Sequence, residues 1–408
     1  MPNMETNTMH VELLIIGDEI LDGTVVDENS TWLGSFLNDK GMRVQRQTTV
    51  PDSRESIANA LSQIVDRADL CICTGGLGPT DDDLTLETVA AVAQDELIFD
   101  QKIWSQIVSR YAGKPVPENN RKQAYVLKNG TALESEVGTA PAARIHIAGC
   151  TVFVLPGVPM EMKWHCKTHL IPYLDGLNRP NWTKRTLRFS GIGESKLATM
   201  IDALRLPPSI SLSYRTASPE NHLRLRSLDA TGLDEAIAKI TDSIGPAFIG
   251  FDEMSLAHAL VARLKSKHLT IATAESCTGG LIGAELTSIP GASAVYLGSI
   301  VSYSNGVKSG QLGVKEGDIV RHGAVSEIVA AQMAKGVCDA LSADVGVSVT
   351  GIAGPGGGSI EKPVGTVCFG WYGPGLNETT RVRFRGDRDQ VRRRAVGFAM
   401  DRLRREYA

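Results

Sequence analysis

Ser276 and Cys277 stand side by side just past an apolar, β-branched run, Thr270-Ile271-Ala272-Thr273-Ala274, that breaks at Glu275. Gly279 and Gly280 follow, and Leu281-Ile282-Gly283-Ala284-Glu285-Leu286 has helical spacing. This pattern puts a nucleophile on a strand-to-helix turn, where backbone N–H groups and the positive helix end stabilise an oxyanion or lower a pKa. A plain helix cap built from Ser and Thr has the same composition. Tyr303, Lys308 and Thr350 fall at the exits of two further apolar strands. A serine attacks an amide carbonyl only with a base beside it, and a lysine serves once burial or nearby cations lower its pKa, with Tyr303 as proton relay. His258 and His268 belong to the preceding helix and His322 to a distant loop, which disfavours a Ser-His-Asp arrangement. Cys277 with Glu275 and Lys308 forms a rival set with the better intrinsic nucleophile, and the residues alone leave the two open.

A second chemical stretch lies near the N-terminus. Val11-Glu12-Leu13-Leu14-Ile15-Ile16 reads as a buried strand closed by Gly17, with Asp18 and Glu19 at its carboxyl end. Asp69 to Thr74 is another strand, followed by Gly75-Gly76-Leu77-Gly78-Pro79-Thr80-Asp81-Asp82-Asp83 and a helix from about Leu84. This loop is neither a Walker A sequence nor a G-x-G-x-x-G fingerprint. Its glycines let amides face a ligand before a helix start, which suits a phosphate, and adjacent carboxylates suit a hard cation such as Mg²⁺. A tight turn with an acidic cap is the bland alternative. Glu161, His165 and His169 share one helix face at i, i+4 and i+8. Lys163 and Lys167 crowd that face and no fourth ligand is near, so it reads as solvated rather than metal-binding.

The elements that carry these groups alternate. At 408 residues the chain exceeds one ordinary core, so roughly two or three domains are expected. Hydrophobic content of 42% with 22% charged residues describes a globular chain, and a net charge of −4 leaves no broad basic field for nucleic acid. Met1 to Met9 is polar, without a signal-peptide core, and no apolar run reaches membrane-spanning length, so a cytoplasmic protein without a membrane partner is expected. Seven cysteines without a Cys-x-x-Cys pair fit reduced thiols better than zinc or disulfides. Residues 1–178 read as a three-layer α/β/α domain with a mainly parallel sheet, its helix before Gly41 capped by Asn29-Ser30. Residues 179–251 read as a small βαββαβ module of the split βαβ kind, with Arg215, Arg224 and Arg226 too few to make a nucleic-acid site. Residues 252–408 form a second α/β domain. Its loop Gly351 to Gly358 is a place for a phosphate to meet amides, and its basic terminal helix, Arg388 to Arg405, presents a solvated face with Arg388 near enough to its start to reach an anion.

Together, Ala274-Glu275-Ser276-Cys277-Thr278-Gly279-Gly280, Tyr303-Ser304-Asn305 with Lys308, His322-Gly323-Ala324-Val325-Ser326, Thr350-Gly351-Ile352-Ala353-Gly354-Pro355 and Lys362 to Val367 resemble the C-terminal domain of the CinA family. Gly17-Asp18-Glu19-Ile20-Leu21, Gly75 to Asp83 and Pro156 to Met162 resemble that family's N-terminal, molybdopterin-binding-like domain. The middle segment occupies the place of the family's KH-like module but has no clear G-x-x-G loop, so RNA binding is not implied. The resemblance implies a nicotinamide mononucleotide deamidase in the last domain, needing no cofactor, and a divalent-metal-dependent ADP-ribose pyrophosphatase in the first. It further implies a homodimer and a role in pyridine nucleotide recycling. Carried over by position, Ser276 is the nucleophile, Tyr303 and Lys308 activate it, and Thr350 lies at the site. The Ser276 turn with Gly279 and Gly280 would hold the oxyanion. Gly351, Gly354, Gly356 and Arg388 would hold the ribose phosphate. In the first domain Gly75, Gly76, Gly78 and Thr80 would hold the diphosphate, and Asp82 and Asp83 the metal. Ala142 stands where the family has glycine, a methyl expected to narrow that pocket. A first domain that binds a nucleotide or pterin without hydrolysing it is the alternative.

Overall fold

The computed structural model describes residues 9–177 and 182–408. The polar start before Met9 and the boundary expected at 178 lie outside them. The chain divides into two compact units, Met1–Asn181 and Trp182–Ala408. Among the described residues no helix is long and apolar enough to cross a membrane.

The first unit is built on a six-stranded sheet ordered Val44–Val50, Val11–Ile16, Leu70–Thr74, Cys150–Leu155, Ala142–Ile147 and Thr131–Leu133. Its first four strands run parallel, Ala142–Ile147 runs against them, and Thr131–Leu133 pairs antiparallel with Ala142–Ile147. Separate cores pack on the two faces, so central strands such as Val11–Ile16 are buried along their whole length. Glu12 is tolerated there because Arg67 meets both its carboxylate oxygens, at 2.7 and 2.8 Å. The cap expected at Asn29-Ser30 lies two residues earlier. Asp27 caps the helix Glu28–Asp39 through the Ser30 N–H, which frees Asn29 to turn inward and donate to the Gly157 carbonyl at 2.7 Å.

The second unit contains two sheets. The expected βαββαβ order forms a four-stranded antiparallel sheet, Ser211–Ala217, Glu220–Ser227, Thr183–Ser190 and Phe248–Phe251, backed by the helices Glu194–Ala203 and Ala230–Ile244. A five-stranded sheet follows, ordered Tyr296–Val301, Ile271–Glu275, Val345–Gly351, Thr366–Gly373 and Leu376–Arg383, its first three strands parallel. The terminal helix Arg388–Glu406 packs on the core of this sheet.

Charged side chains join the two sheets. Arg404, expected to be solvated, is 2% exposed and reaches Asp401 and the carbonyls of Pro246 and Phe248. Buried Glu220 accepts from the Leu256 N–H at 2.8 Å, from Arg188 at 3.2 Å and from His222 at 3.1 Å. Burial works against its charge, but these bonds, His222 and Leu256 foremost, outweigh it and hold the carboxyl below its ordinary 4.5. Stability from this group is therefore fully present above pH 4.5 and is lost as pH falls through the depressed folded value. Glu220→Gln is expected to cost about 2 kcal/mol in urea denaturation at neutral pH. The gap to the parent protein should narrow on acidification below that range, and a gap independent of pH would show that the carboxylate's charge is not what matters.

Candidate functional site

The strand Ile271–Glu275 is fully buried, and the chain turns at its end into the helix Leu281–Thr287. Gly279 and Gly280 make this turn with φ of +62° and +93°, a left-handed backbone that side-chain-bearing residues rarely adopt. Ser276 is 9% exposed, and its N–H is anchored on the Val349 carbonyl of the neighbouring strand at 2.9 Å. Lys308 projects from the helix Asn305–Leu312 into the same place, 1% exposed, with Nζ 3.1 Å from Ser276 Oγ and 2.6 Å from the Ser302 carbonyl. Burial lowers its pKa below the ordinary 10.5. Among the described residues no carboxylate bonds to this ammonium, so no ion pair opposes the loss of its proton.

Cys277 behaves otherwise. Its side chain belongs to the apolar core, and burial pushes its thiol up to about 12, so the thiolate is scarce at neutral pH. Glu275, the rival set's acid, is fully buried and accepts from the N–H groups of Gly280, Ile282 and Gly283 at 2.9–3.1 Å. It is a cap for the helix, not a base. The same contacts correct the expectation that the whole helix end serves an oxyanion. With Gly279 N–H on the Ser276 carbonyl, the amides of Cys277 and Thr278 are the turn's remaining donors among the described residues.

Among the described residues Tyr303 makes no hydrogen bond to Ser276. It is 65% exposed and its hydroxyl accepts from Arg388 at 3.2 Å, whereas Lys308 is buried on the helix that Ser304 caps. Arg388 also donates to the Gly354 carbonyl at 2.8 Å, tying the glycine-rich loop to the terminal helix. Gly351 ends its strand in close packing against Thr366 and Val367, whereas Gly356 is exposed with open space beside it. Thr350 is buried and donates to the Ala324 carbonyl at 2.9 Å. Arg392 was not expected here. It donates to the Cys277 and Thr278 carbonyls at 3.1 and 2.9 Å, and no sequence signal separates it from the other arginines of the helix.

The first unit has a cleft of about 510 Å³. One wall is Gly76, Leu77, Gly78 and Pro79; Arg121, Lys122 and Tyr125 line another. Gly76 must lack a side chain, since a Cβ would lie 2.2 Å from Thr85 Oγ1. Asp83 accepts from the N–H groups of Gly78 at 2.6 Å and Thr80 at 2.8 Å. Two amides expected to hold a diphosphate are thus held by the chain's own carboxylate, and Asp83 is a turn-holder. Asp82 is fully exposed and does not line the cleft; the Thr80 hydroxyl lowers its pKa. No three His, Cys, Asp or Glu side chains among the described residues converge to hold a metal ion. The residues present do not form a ready metal centre.

Two other expectations change. Ala142 packs into the core beside Leu133 and Phe153 and does not line the cleft, so its methyl does not narrow it. His165 is fully buried, not solvated, stacked against His169, and burial drives its pKa down to about 4.

Residues 253–407 match the family model described as "CinA C-terminal domain", and residues 12–176 match the one described as "Probable molybdopterin binding domain". A "CinA-like protein" from Citrifermentans bemidjiense is 40% identical over 403 residues, spanning 97% of each chain. Another from Myxococcus xanthus is 38% identical over 412 residues, spanning 97% of this chain and 98% of the relative. A solved competence/damage-inducible protein from Agrobacterium tumefaciens is 41% identical, with a TM-score of 0.36, over 36% of this chain and 91% of that one. With the two matched domains in this order and full-length relatives at this identity, the chain belongs to the CinA family.

Proposed function

We propose that the second unit is a serine amidohydrolase that converts nicotinamide mononucleotide and water to nicotinate mononucleotide and ammonia. The observation that carries this reading is the buried pair of Lys308 Nζ and Ser276 Oγ, 3.1 Å apart. The neutral amine takes the Ser276 proton as the oxygen bonds to the carboxamide carbon. The tetrahedral intermediate collapses as Lys308 returns that proton to the departing nitrogen, leaving an ester on Ser276 and free ammonia. Water then attacks the ester, giving one proton to Lys308 that passes to the Ser276 oxygen as the carboxylic acid leaves, and the acid loses its remaining proton to water. Arg388, with N–H groups beyond those on Gly354 and Tyr303, suits the substrate phosphate.

For the first unit the reading is hydrolysis of ADP-ribose to AMP and ribose 5-phosphate, supported by a nucleotide-sized cleft with Arg121 and Lys122 on its wall. A non-hydrolytic nucleotide- or pterin-binding module is the second reading. The commitment of Asp83 to the loop's own amides favours it. A homodimer acting in pyridine nucleotide recycling completes the proposal. Incubating the full chain with nicotinamide mononucleotide should release ammonia without added metal. Incubation with ADP-ribose, with and without a divalent metal, should yield AMP under the first reading. Ligand-dependent thermal stabilisation without AMP would select the second, and no ammonia would sink the amidohydrolase.

A further inference from the structure

The turn that carries Ser276 is gripped from two sides by opposite charges. The Glu275 carboxylate takes three N–H groups at the start of the following helix. The Arg392 guanidinium, arriving from the terminal helix, takes two successive carbonyls, Cys277 through Nε and Thr278 through Nη2. Gly279 is required by its φ of +62° and not by crowding, since a Cβ there would sit in ordinary van der Waals contact with Arg392 Nη2, at 3.5 Å.

Carbonyl bonds of this kind also orient N–H groups. In a planar trans peptide the C=O and the next residue's N–H point in opposite directions. The Ser276 carbonyl is fixed by the Gly279 N–H, which sends the Cys277 N–H out of the turn. The Cys277 carbonyl is fixed by Arg392, which sends the Thr278 N–H away from the terminal helix. These are the two amides that the turn has left to offer. A cation on a carbonyl also polarises its peptide, making that N–H a stronger donor. One planar fork on two adjacent carbonyls is a task for arginine, since an ammonium is a single point charge.

We propose that Arg392 is a positioning residue that aims and strengthens the Thr278 amide, and through the Gly279 N–H on the Ser276 carbonyl steadies the Cys277 amide, as donors to the oxyanion formed when Ser276 attacks a carboxamide. The inference rests on the amidohydrolase reading of this site. In the full chain, Arg392→Ala should lower kcat for ammonia release about a hundredfold, with KM within about twofold of the parent, as loss of an oxyanion donor does. Arg392→Lys should recover little. Millimolar guanidinium chloride should restore part of the kcat of Arg392→Ala and leave the parent unchanged. Arg393→Ala, at an exposed neighbour paired with Asp389, is the control and should stay within about twofold. Hydrogen–deuterium exchange of the 276–283 segment should quicken in Arg392→Ala, with exchange elsewhere unchanged. A kcat within about threefold of the parent, or a loss confined to KM, overturns the proposal. Should the parent protein release no ammonia, the functional reading fails separately. The exchange measurement then decides, and an unaltered turn overturns the proposal in either case.

Discussion

Ser276→Ala is expected to lower ammonia release from nicotinamide mononucleotide by about 10⁵-fold, to the residue of rate that binding and oxyanion donors sustain without a nucleophile. Cys277→Ala, one position away, should keep most of the activity and cost about 1 kcal/mol of stability, since it removes one sulfur from a packed core. Burial separates two neighbours whose intrinsic reactivity runs the other way. The thiol is held up at about 12 and packed among apolar side chains, while the hydroxyl meets the amine of Lys308. The same contrast should appear in chemical labelling: iodoacetamide at pH 8 should modify Cys277 very slowly and leave turnover intact. Rapid inactivation by alkylation, or a dead Cys277→Ala with an active Ser276→Ala, would transfer the nucleophile's role to the thiol.

The strand–turn–helix at Ser276 was legible because its causes are local: a β-branched run, a charged break and two glycines with left-handed backbone. The βαββαβ order and the parallel sheets were legible for the same reason, through hydrophobic period and turn residues. In sequence Lys308 reads as a loop residue beyond a strand exit, and it stands instead as the fourth residue of a helix whose cap is Ser304. What stayed hidden depends on which distant segment a long side chain meets. Arg392, Arg393 and Arg404 look alike along one basic helix, yet one holds the Ser276 turn, one faces solvent and one is buried against the other sheet. Asp83 looked like a metal ligand because acidic residues next to glycines have that composition, and it instead closes its own loop. Tyr303 was placed by its strand exit, from which it bonds to Arg388 of the terminal helix, a partner that its own neighbours in sequence do not announce.

Lys308→Ala is expected to lower kcat about 10³-fold, the loss that follows removal of a positioned base. Lys308→Arg should be no better, because a guanidinium keeps its proton across the whole accessible range. With Lys308 in place, kcat/KM should rise with pH and level off. The sign follows from the state required: attack needs the unprotonated amine, so activity grows as pH climbs through the pKa of Lys308. Burial sets where this happens, moving the rising limb below the 10.5 of an ordinary lysine. The same burial penalises the protonated form in the folded protein. The cost is fully present below the depressed folded pKa and is relieved as pH rises from there toward 10.5. Small primary amines should partly rescue Lys308→Ala, with a pH dependence set by the added amine in place of the buried one. Adding Ser276→Ala to Lys308→Ala should cost little beyond Ser276→Ala alone, since a base without its nucleophile has nothing to activate. A flat pH profile up to 10.5, or an active Lys308→Arg, would remove the amine from the chemistry and leave Ser276 without its activator.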